Sequence, residues 1–100
     1  QTRLYYPNGN VLEKSIYVAD KKDGKSVQYY KNGQLKLSAN YKADKLEGSY
    51  TLYNSAGVKK YSGKYLNDIK DGIWKYYKDN KSFDYQIEYI NGISQGRQDG

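Results

Sequence analysis

The sequence repeats itself every 24 residues, and this spacing constrains the fold more than any other feature. Tandem repeats of this length build arrays in which each unit is one supersecondary element that packs on its neighbours. The repeating columns are Gly24, Gly48, Gly72 and Gly96; Tyr5, Tyr29, Tyr53 and Tyr77; and Tyr17, Tyr41, Tyr65 and Tyr89. The spacing predicts one domain made of the units 1–24, 25–48, 49–72 and 73–96, with residues 97–100 opening a fifth.

Each unit reads as two β-strands, because apolar and polar residues alternate within it. The clearest examples are the apolar sets Leu35, Leu37, Ala39 and Tyr41, and Phe83, Tyr85, Ile87 and Tyr89. A period of two is typical of strands with one apolar and one polar face. No segment has the periodicity of a helix. The sequence therefore predicts an all-β fold of tandem hairpins.

The first turn of each unit ends on a glycine in three units of four. Its copies are Pro7-Asn8-Gly9, Lys31-Asn32-Gly33, Ser55-Ala56-Gly57 and Asp79-Asn80-Lys81. A two-residue type I′ turn needs positive φ at both positions, which Ala56 disfavours. A three-residue loop, a type I turn followed by a left-handed glycine, accepts both Pro7 and Ala56. This loop places Tyr29 opposite Leu35, on the apolar face.

The second turn raises a problem of parity. Its copies are Ala19-Asp20, Ala43-Asp44, Asn67-Asp68 and Asn91-Gly92. If it has two residues while the first turn has three, equivalent side chains would change face from unit to unit, unless each unit also carries a bulge. The repeated glycines are the natural site for a bulge. We therefore predict a bulge at Gly72 and its equivalents, with the ring of Tyr65 covering the bare backbone.

The composition indicates a thin core and permits an anionic partner. There are 14 Tyr but only one Phe and one Trp, and the net charge is +6. A tyrosine ring covers its neighbours while the hydroxyl stays in water. The positive charge is compatible with nucleic acid, anionic lipid or cell-wall polymer, and equally with a solvated lysine surface. There is no apolar run of 18 residues, as a membrane-spanning helix would require.

The motif around the second turn resembles the MORN-variant repeats of bacterial proteins. It consists of Tyr65, a two-residue turn, Asp71-Gly72, Trp74, Tyr76 and Tyr77, and the second unit has Asp44, Glu47-Gly48, Tyr50 and Tyr53 in the same places. The resemblance covers nearly the whole chain. It implies an elongated, single-layer antiparallel meander of 24-residue β-hairpin repeats, without catalytic residues.

Bacterial members of this family are often labelled exported repeat proteins or antitoxin components. The resemblance therefore implies export to the periplasm or cell surface, with a cytoplasmic location as the alternative. The chain begins at Gln1 and contains no Met. A processed product would begin in this way after removal of an export signal, and so would a shortened chain.

The residues offer little chemistry for catalysis or metal binding. Because His and Cys are absent, the usual base near neutral pH and the usual zinc ligands are missing. Acidic pairs recur beside the second turn: Asp20 with Asp23, Asp44 with Glu47, and Asp68 with Asp71. They suggest either weak calcium sites or acids that cap the turn through its own backbone. We favour capping, because each pair supplies too few ligands, and we predict no cofactor and no small-molecule substrate.

The aromatic residues define the candidate interaction surface, which we place at Tyr29, Tyr53, Tyr77, Trp74 and Tyr76. Rings interleaved with lysines can form a platform for bases or sugars. The alternative is that the rings pack on each other and on glycines, and their recurrence at equivalent positions favours it.

Three functional hypotheses follow from these residues. The leading one is a non-enzymatic scaffold that holds a protein partner on an extended sheet. The second is a binder of anionic surfaces through its lysines, and an enzyme is the least favoured. Because a sheet with open edges can pair with another copy, an edge-to-edge homodimer is also expected among the partners.

Overall fold

The computed structural model describes residues 2–99, which contain no helix and therefore no helix that could span a membrane. The strands are β1 (Thr2–Tyr5), β2 (Val11–Ser15), β3 (Tyr17–Val18), β4 (Lys21–Lys22), β5 (Gly24–Tyr29), β6 (Leu35–Lys42), β7 (Lys45–Tyr53), β8 (Lys59–Leu66), β9 (Ile69–Tyr77), β10 (Phe83–Ile90) and β11 (Ile93–Asp99). The predicted all-β fold is confirmed.

The sheet is an antiparallel meander in which neighbours in sequence are neighbours in space. Nine strands follow the order β1-β2-β5-β6-β7-β8-β9-β10-β11, and the short pair β3-β4 forms the tip of the hairpin between β2 and β5. The sheet does not close, so β1 and β11 are its edges. The molecule measures 41 × 34 × 13 Å. Apart from the tip pair β3-β4, residues 2–99 form this one sheet, so it is a single layer.

The first turns have the predicted three-residue loop. The amide of Gly33 donates to the Tyr30 carbonyl at 2.9 Å, and the amide of Tyr30 donates to the Gln34 carbonyl at 2.8 Å. Gly33 has a φ of 91°. In the fourth unit Lys81 adopts the same left-handed conformation, with a φ of 76°. The turn geometry is therefore kept where the glycine is not.

The second turns have two residues, both with positive φ. In the third unit Asn67 and Asp68 have φ of 54° and 69°, and Leu66 pairs with Ile69 across them. Asn and Asp adopt this conformation more readily than most residues do. Ala19 and Ala43 also adopt it, with φ of 52° and 49°.

Each repeat contains two bulges, and in the second and third repeats the bulge that corrects the parity is not at the repeated glycine. In the fourth repeat the shift beside Gly96 adds a single residue. Beside the first turn, Tyr29 pairs with Leu35 but Gln28 pairs with Leu37, so Lys36 is one extra residue. At the repeated glycine, Ser62 pairs with Lys75 and Lys64 with Asp71, which leaves two extra residues in β9 and keeps the faces unchanged. The prediction of a bulge at Gly72 is confirmed, and Gly72 has a φ of 74°. Its predicted role in parity is wrong, since an even insertion cannot exchange faces.

The predicted cover over Gly72 is also wrong. The atom nearest to a Cβ placed on Gly72 is Cε of Lys64, at 3.1 Å. The Tyr65 ring instead packs against the rings of Tyr50 and Trp74, with centroids 5.1 and 5.0 Å away. The large apolar rings cluster together, and the flexible lysine stem fills the space over the bulge.

The bulge beside the first turn separates residues that the sequence placed on one face. Paired residues point to the same side of a sheet and successive residues to opposite sides. Leu35 therefore lies on the face opposite Leu37. In the fourth unit Phe83 pairs with Tyr77 and Tyr85 with Tyr76, so Phe83 and Tyr85 also face opposite ways. The prediction that each apolar set shares one face is thus wrong for its first member.

We call the two sides the aromatic face and the lysine face. Across the aromatic face runs a row of paired residues in neighbouring strands: Ser26, Ala39, Tyr50 and Gly63. Across the lysine face runs the row Lys14, Val27, Ser38, Thr51, Ser62, Lys75 and Gln86. The two rows pass through adjacent residues of the same strands.

The core is thin and lies on the aromatic face. Its largest member, Trp74, is 0% exposed, and a Cβ on Gly63 would lie 2.2 Å from the Trp74 ring. The Trp74 ring therefore lies directly on the Gly63 backbone, where any side chain would collide with it. The indole N–H donates to the Lys64 carbonyl at 3.0 Å. On the same face Ser15 and Ser26 are buried and their hydroxyls are 2.7 Å apart.

The substitution Gly63→Ala should lower the free energy of unfolding by about 3 kcal/mol, since the new methyl overlaps the Trp74 ring. Urea denaturation measures this. The neighbouring Ser62→Ala, on the lysine face, is the control and should change stability by less than about 0.5 kcal/mol. In a Trp74→Leu background the cost of Gly63→Ala should shrink. Equal stability of Gly63→Ala and wild type would show that the ring does not rest on this backbone.

Candidate binding surfaces

The aromatic face carries a cluster of packed rings centred on Trp74. The ring centroids of Tyr65, Tyr50 and Tyr61 lie 5.0, 5.9 and 6.1 Å from that of Trp74. These separations are within the range of favourable aromatic pairs. The cluster extends to a stacked pair, Tyr76 and Tyr85, at 4.5 Å. The rings cover this side of the sheet in the absence of a second layer, which supports the packing interpretation.

Cations lie over the outer surface of these rings. The ammonium of Lys70 is 4.9 Å from the Trp74 ring and 5.1 Å from the Tyr89 ring. The guanidinium of Arg97 is 3.9 Å from the Tyr85 ring. Such contacts stabilise the ring face, and the aliphatic stems cover apolar surface. Much of the aromatic face therefore already has partners within the chain.

Packing changes the acidity of the tyrosines in the cluster. Burial, followed by the nearby Tyr61, raises the pKa of both Tyr50 and Tyr65. Burial, followed by the nearby Tyr89, raises the pKa of Tyr76 to about 12. Because these hydroxyls resist ionisation, they remain neutral at physiological pH and none is an activated base.

The lysine face presents a line of tyrosines near the first turns, which we call the tyrosine row. It consists of Tyr5, Tyr29, Tyr53 and Tyr77. Tyr29, Tyr53 and Tyr77 each lie two residues after a member of the row that crosses the lysine face, so they share that face. Their cross-strand partners are Leu35, Lys59 and Phe83, in that order, and the partner of Tyr5 is Val11. Tyr5 is 56% exposed, and the other three are half-buried.

Two equivalent open grooves lie beside the tyrosine row, two repeats apart. One is lined by Asn10, Val11, Lys14, Tyr29 and Gly33 and the other by Gly57, Val58, Lys59, Tyr77 and Lys81. Their volumes are about 240 and 360 Å³. In each groove a lysine ammonium lies near the tyrosine ring: Lys14 is 5.7 Å from Tyr29, and Lys59 is 5.9 Å from Tyr77. Each groove thus offers an aromatic wall beside a positive charge.

Hydrogen bonds between successive first turns fix the position of the row. The Tyr6 hydroxyl donates to the Tyr29 carbonyl and the Tyr30 hydroxyl donates to the Tyr53 carbonyl, both at 2.7 Å. The amide group of Asn32 also donates to the Ser55 carbonyl, at 2.9 Å. Each bond joins positions 23 residues apart, so it holds one hairpin against the next.

The recurring acids serve the same purpose at the second turns. The Asp44 carboxylate accepts from the Lys22 amide at 2.7 Å, and the Asp44 amide donates to the Lys22 carbonyl at 2.9 Å. Asp68 makes the same two bonds with Leu46. The structural interpretation is thus correct, but the predicted partner is wrong, since each Asp bonds the strand that follows the preceding turn rather than its own turn. Within residues 2–99, no three potential metal-ligating side chains come together.

The structure does not bring the five predicted surface residues together. Tyr29, Tyr53 and Tyr77 lie on the lysine face, whereas Trp74 and Tyr76 lie on the aromatic face. Trp74 is fully buried, so it is part of the core and not of an exposed surface. Of the five predicted residues, Tyr29, Tyr53 and Tyr77 therefore share one face, and Trp74 contributes to no exposed surface.

Several residues that shape these surfaces escaped the sequence analysis. Lys14 and Lys59 were not distinguished from other lysines, because their proximity to a ring depends on pairing between hairpins. Tyr6 and Tyr30 were a recognisable signal, since they recur 24 residues apart one position after the tyrosine row. Their role was hidden because Asn54 and Lys78 follow at the equivalent positions.

Comparison with protein families agrees with this architecture. The family model described as MORN repeat variant matches residues 1–19 and 22–43. The resemblance is thereby confirmed for this part of the chain, which matches the MORN repeat variant. Repeats of this family are commonly associated with protein or membrane binding. No match was found among curated proteins or solved structures.

The substitution Asp44→Ala should destabilise the protein by about 1–2 kcal/mol more than Asp20→Ala does, because it removes a bond to the preceding turn. Asp20 has the same left-handed backbone, with a φ of 66°. Its turn is the first of this kind within residues 2–99, so it has no earlier one to bond. It therefore controls for backbone strain. Asp44→Asn keeps an acceptor oxygen and should stay near wild type. Equal losses for both alanine variants in urea denaturation would contradict the proposed bond.

The raised pKa of Tyr76 predicts a loss of stability in alkali. The unfolded chain releases this proton near pH 10, whereas the folded chain holds it until about pH 12. The contribution is complete below pH 10 and is lost as the pH rises towards 12. The melting temperature of Tyr76→Phe should therefore fall less steeply than that of wild type across this window. Parallel curves would contradict the assigned shift.

Proposed function

We propose that this chain is a non-enzymatic repeat scaffold that binds a protein partner across the tyrosine row. The supporting observation is that each repeat presents one tyrosine of this row on the lysine face, away from the ring cluster that stabilises the opposite face. Partly exposed aromatic patches rimmed by polar residues are typical of interaction sites. Since each repeat adds an equivalent contact, a linear partner would be held at several points.

The rigidity of the row favours this function. The phenol bonds from Tyr6 to Tyr29 and from Tyr30 to Tyr53 attach the row to neighbouring turns. A surface fixed in advance loses less conformational entropy when it binds. The partner would therefore meet aromatic rings already held at constant intervals.

A second candidate function is binding to an anionic surface, such as lipid, cell-wall polymer or nucleic acid. The observation that favours it is a set of exposed lysines on the lysine face: Lys25, Lys42, Lys45, Lys64 and Lys75. Three acids, Glu47, Asp71 and Glu88, alternate onto the same face. Lysine contacts to a polyanion release counterions, so this binding should weaken steeply as salt rises.

Location and self-association are further parts of the proposal. Export to the periplasm or cell surface is supported by the resemblance to exported bacterial repeat proteins. Edge-to-edge pairing of two copies is supported by the open edges β1 and β11, although the positive φ of Gly96, 103°, disturbs the second edge. A bulge of this kind hinders pairing between edges.

Photo-crosslinking in the native cell tests the proposed function. A photoreactive phenylalanine analogue replaces Tyr53 in one variant and Tyr61, on the aromatic face, in the control variant. We expect a discrete protein adduct from position 53 that is absent from position 61 and persists at moderate salt. Equal labelling from both positions, or adducts of lipid or nucleic acid alone, would contradict a protein partner on the tyrosine row.

A further inference from the structure

The spacing of the tyrosine row limits the kind of chain that can bind along it. Successive members are separated by two strands of one sheet, so their backbones are about 9.6 Å apart, twice the inter-strand distance of about 4.8 Å. A partner that makes the same contact with each tyrosine must repeat its own structure at nearly this distance.

An extended β-strand does not satisfy this condition well. Its side chains alternate between faces with a period of two residues, about 6.6–6.8 Å. A polyproline II helix does satisfy it, because three residues of about 3.1 Å each complete one turn of about 9.3 Å. Every third residue of such a helix points in the same direction, so one residue per turn would meet one tyrosine per repeat.

We propose that the tyrosine row binds an acidic, proline-rich segment in the polyproline II conformation, with proline recurring at every third residue. This inference rests on the proposed function and specifies the chemical class of its partner. Proline-rich segments dock in grooves walled by aromatic side chains, because their backbone is already extended and loses little entropy on binding. The grooves beside Tyr29 and Tyr77 have such walls.

The acidic character of the partner follows from the charges around the grooves. Lys14 lines one groove, and Lys59 and Lys81 line the other, while no acidic side chain lines either of them. Lys59 and Lys81 are exposed. By contrast, Lys60 is already paired with Asp79, at 2.6 Å. The lysines that line the grooves are therefore placed to receive carboxylates carried between the prolines.

The position of the lysines relative to the rings supports the same arrangement. The ammonium groups of Lys14 and Lys59 lie within 6 Å of the centres of the Tyr29 and Tyr77 rings. A proline ring packed on either tyrosine would bring the adjoining residue of the peptide close to that ammonium. One turn of the peptide thus supplies both an apolar and an anionic contact, and the next repeat receives the next turn.

Fluorescence anisotropy with labelled peptides tests the proposal on the whole chain. The probe is Pro-Pro-Glu repeated four times. The controls are Ala-Ala-Glu repeated four times, which lacks proline, Pro-Pro-Lys repeated four times, which reverses the charge, and Pro-Pro-Gly-Glu repeated three times, which has a period of four. We expect each control to bind at least about tenfold more weakly than the probe, a difference of about 1.4 kcal/mol. Equal binding of the probe and either the alanine or the period-four peptide would overturn the proposal.

Variants of the protein locate the binding site. Tyr53→Leu keeps an apolar side chain but removes the ring and should weaken probe binding at least about fivefold, whereas Tyr61→Leu on the aromatic face should not. Circular dichroism verifies that each variant is folded. If the tyrosine variants do not fold, Lys14→Glu and Lys59→Glu test the same site, and they should weaken the acidic probe and strengthen the lysine peptide. Unchanged affinities in these variants would overturn the assignment.

Other occupants give different results in the same assay. A single-stranded oligothymidylate or vesicles with anionic lipid are used as competing ligands. If either binds more tightly than the probe peptide, and Tyr53→Leu abolishes that binding, the peptide proposal is overturned and the tyrosine row is assigned to that ligand. If position 53 crosslinks to a protein in cells while none of the proline peptides binds, the proposed scaffold stands and the polyproline inference fails. If position 53 gives no protein crosslink and no proline peptide binds, both the scaffold and the polyproline inference are rejected.

Discussion

The structure depends on a constraint of parity: every 24-residue unit must return its side chains to the faces from which they started. A three-residue first turn alone would exchange the faces at each hairpin. One extra residue beside that turn, Lys36 in the second unit, cancels the exchange. In β7 and β9 the bulge at the repeated glycine adds two residues and leaves the faces unchanged, whereas in β11 it adds one. Because the correction occurs within each hairpin, the same two faces continue from β2 to β10.

Constant faces allow the two sides of the sheet to have different roles. A single layer has no second sheet against which to bury apolar surface, so the aromatic face supplies its own cover. Trp74 on Gly63 and the surrounding tyrosines form that cover, and Lys70 and Arg97 lie over its rings. The lysine face does not have to supply this cover. Tyr29 and Tyr77 lie beside lysines and open grooves, and the tyrosine row stays partly exposed.

Bonds between neighbouring turns connect stability with the proposed binding. Asp44 and Asp68 join the second turns to the turns before them, while Tyr6 and Tyr30 join the first turns to those after them. Together they join the first three repeats to one another at both ends of the strands. A regular spacing is what a periodic ligand would recognise. The contacts that stabilise the array therefore also set the interval that a binding partner would have to match.

The sequence by itself determined the period, the strands and both kinds of turn. These features are local: Gly33 and Asp68 reveal left-handed positions whatever surrounds them. It also predicted a bulge at Gly72, because a glycine that recurs with the period indicates a backbone conformation that other residues adopt less readily. It could not predict that Leu35 and Phe83 leave the apolar face, since one extra residue beside a turn does not alter the alternating pattern.

Only the tertiary structure decided which rings are core and which are surface. Trp74 and Tyr77 lie three residues apart and look equally suited to a binding site. Trp74 is buried because β8 places Gly63 beneath it, and Tyr77 faces the other way beside Lys59. Those neighbours belong to other strands, so the roles of the two rings depend on register between hairpins. That register is fixed only when the strands pair.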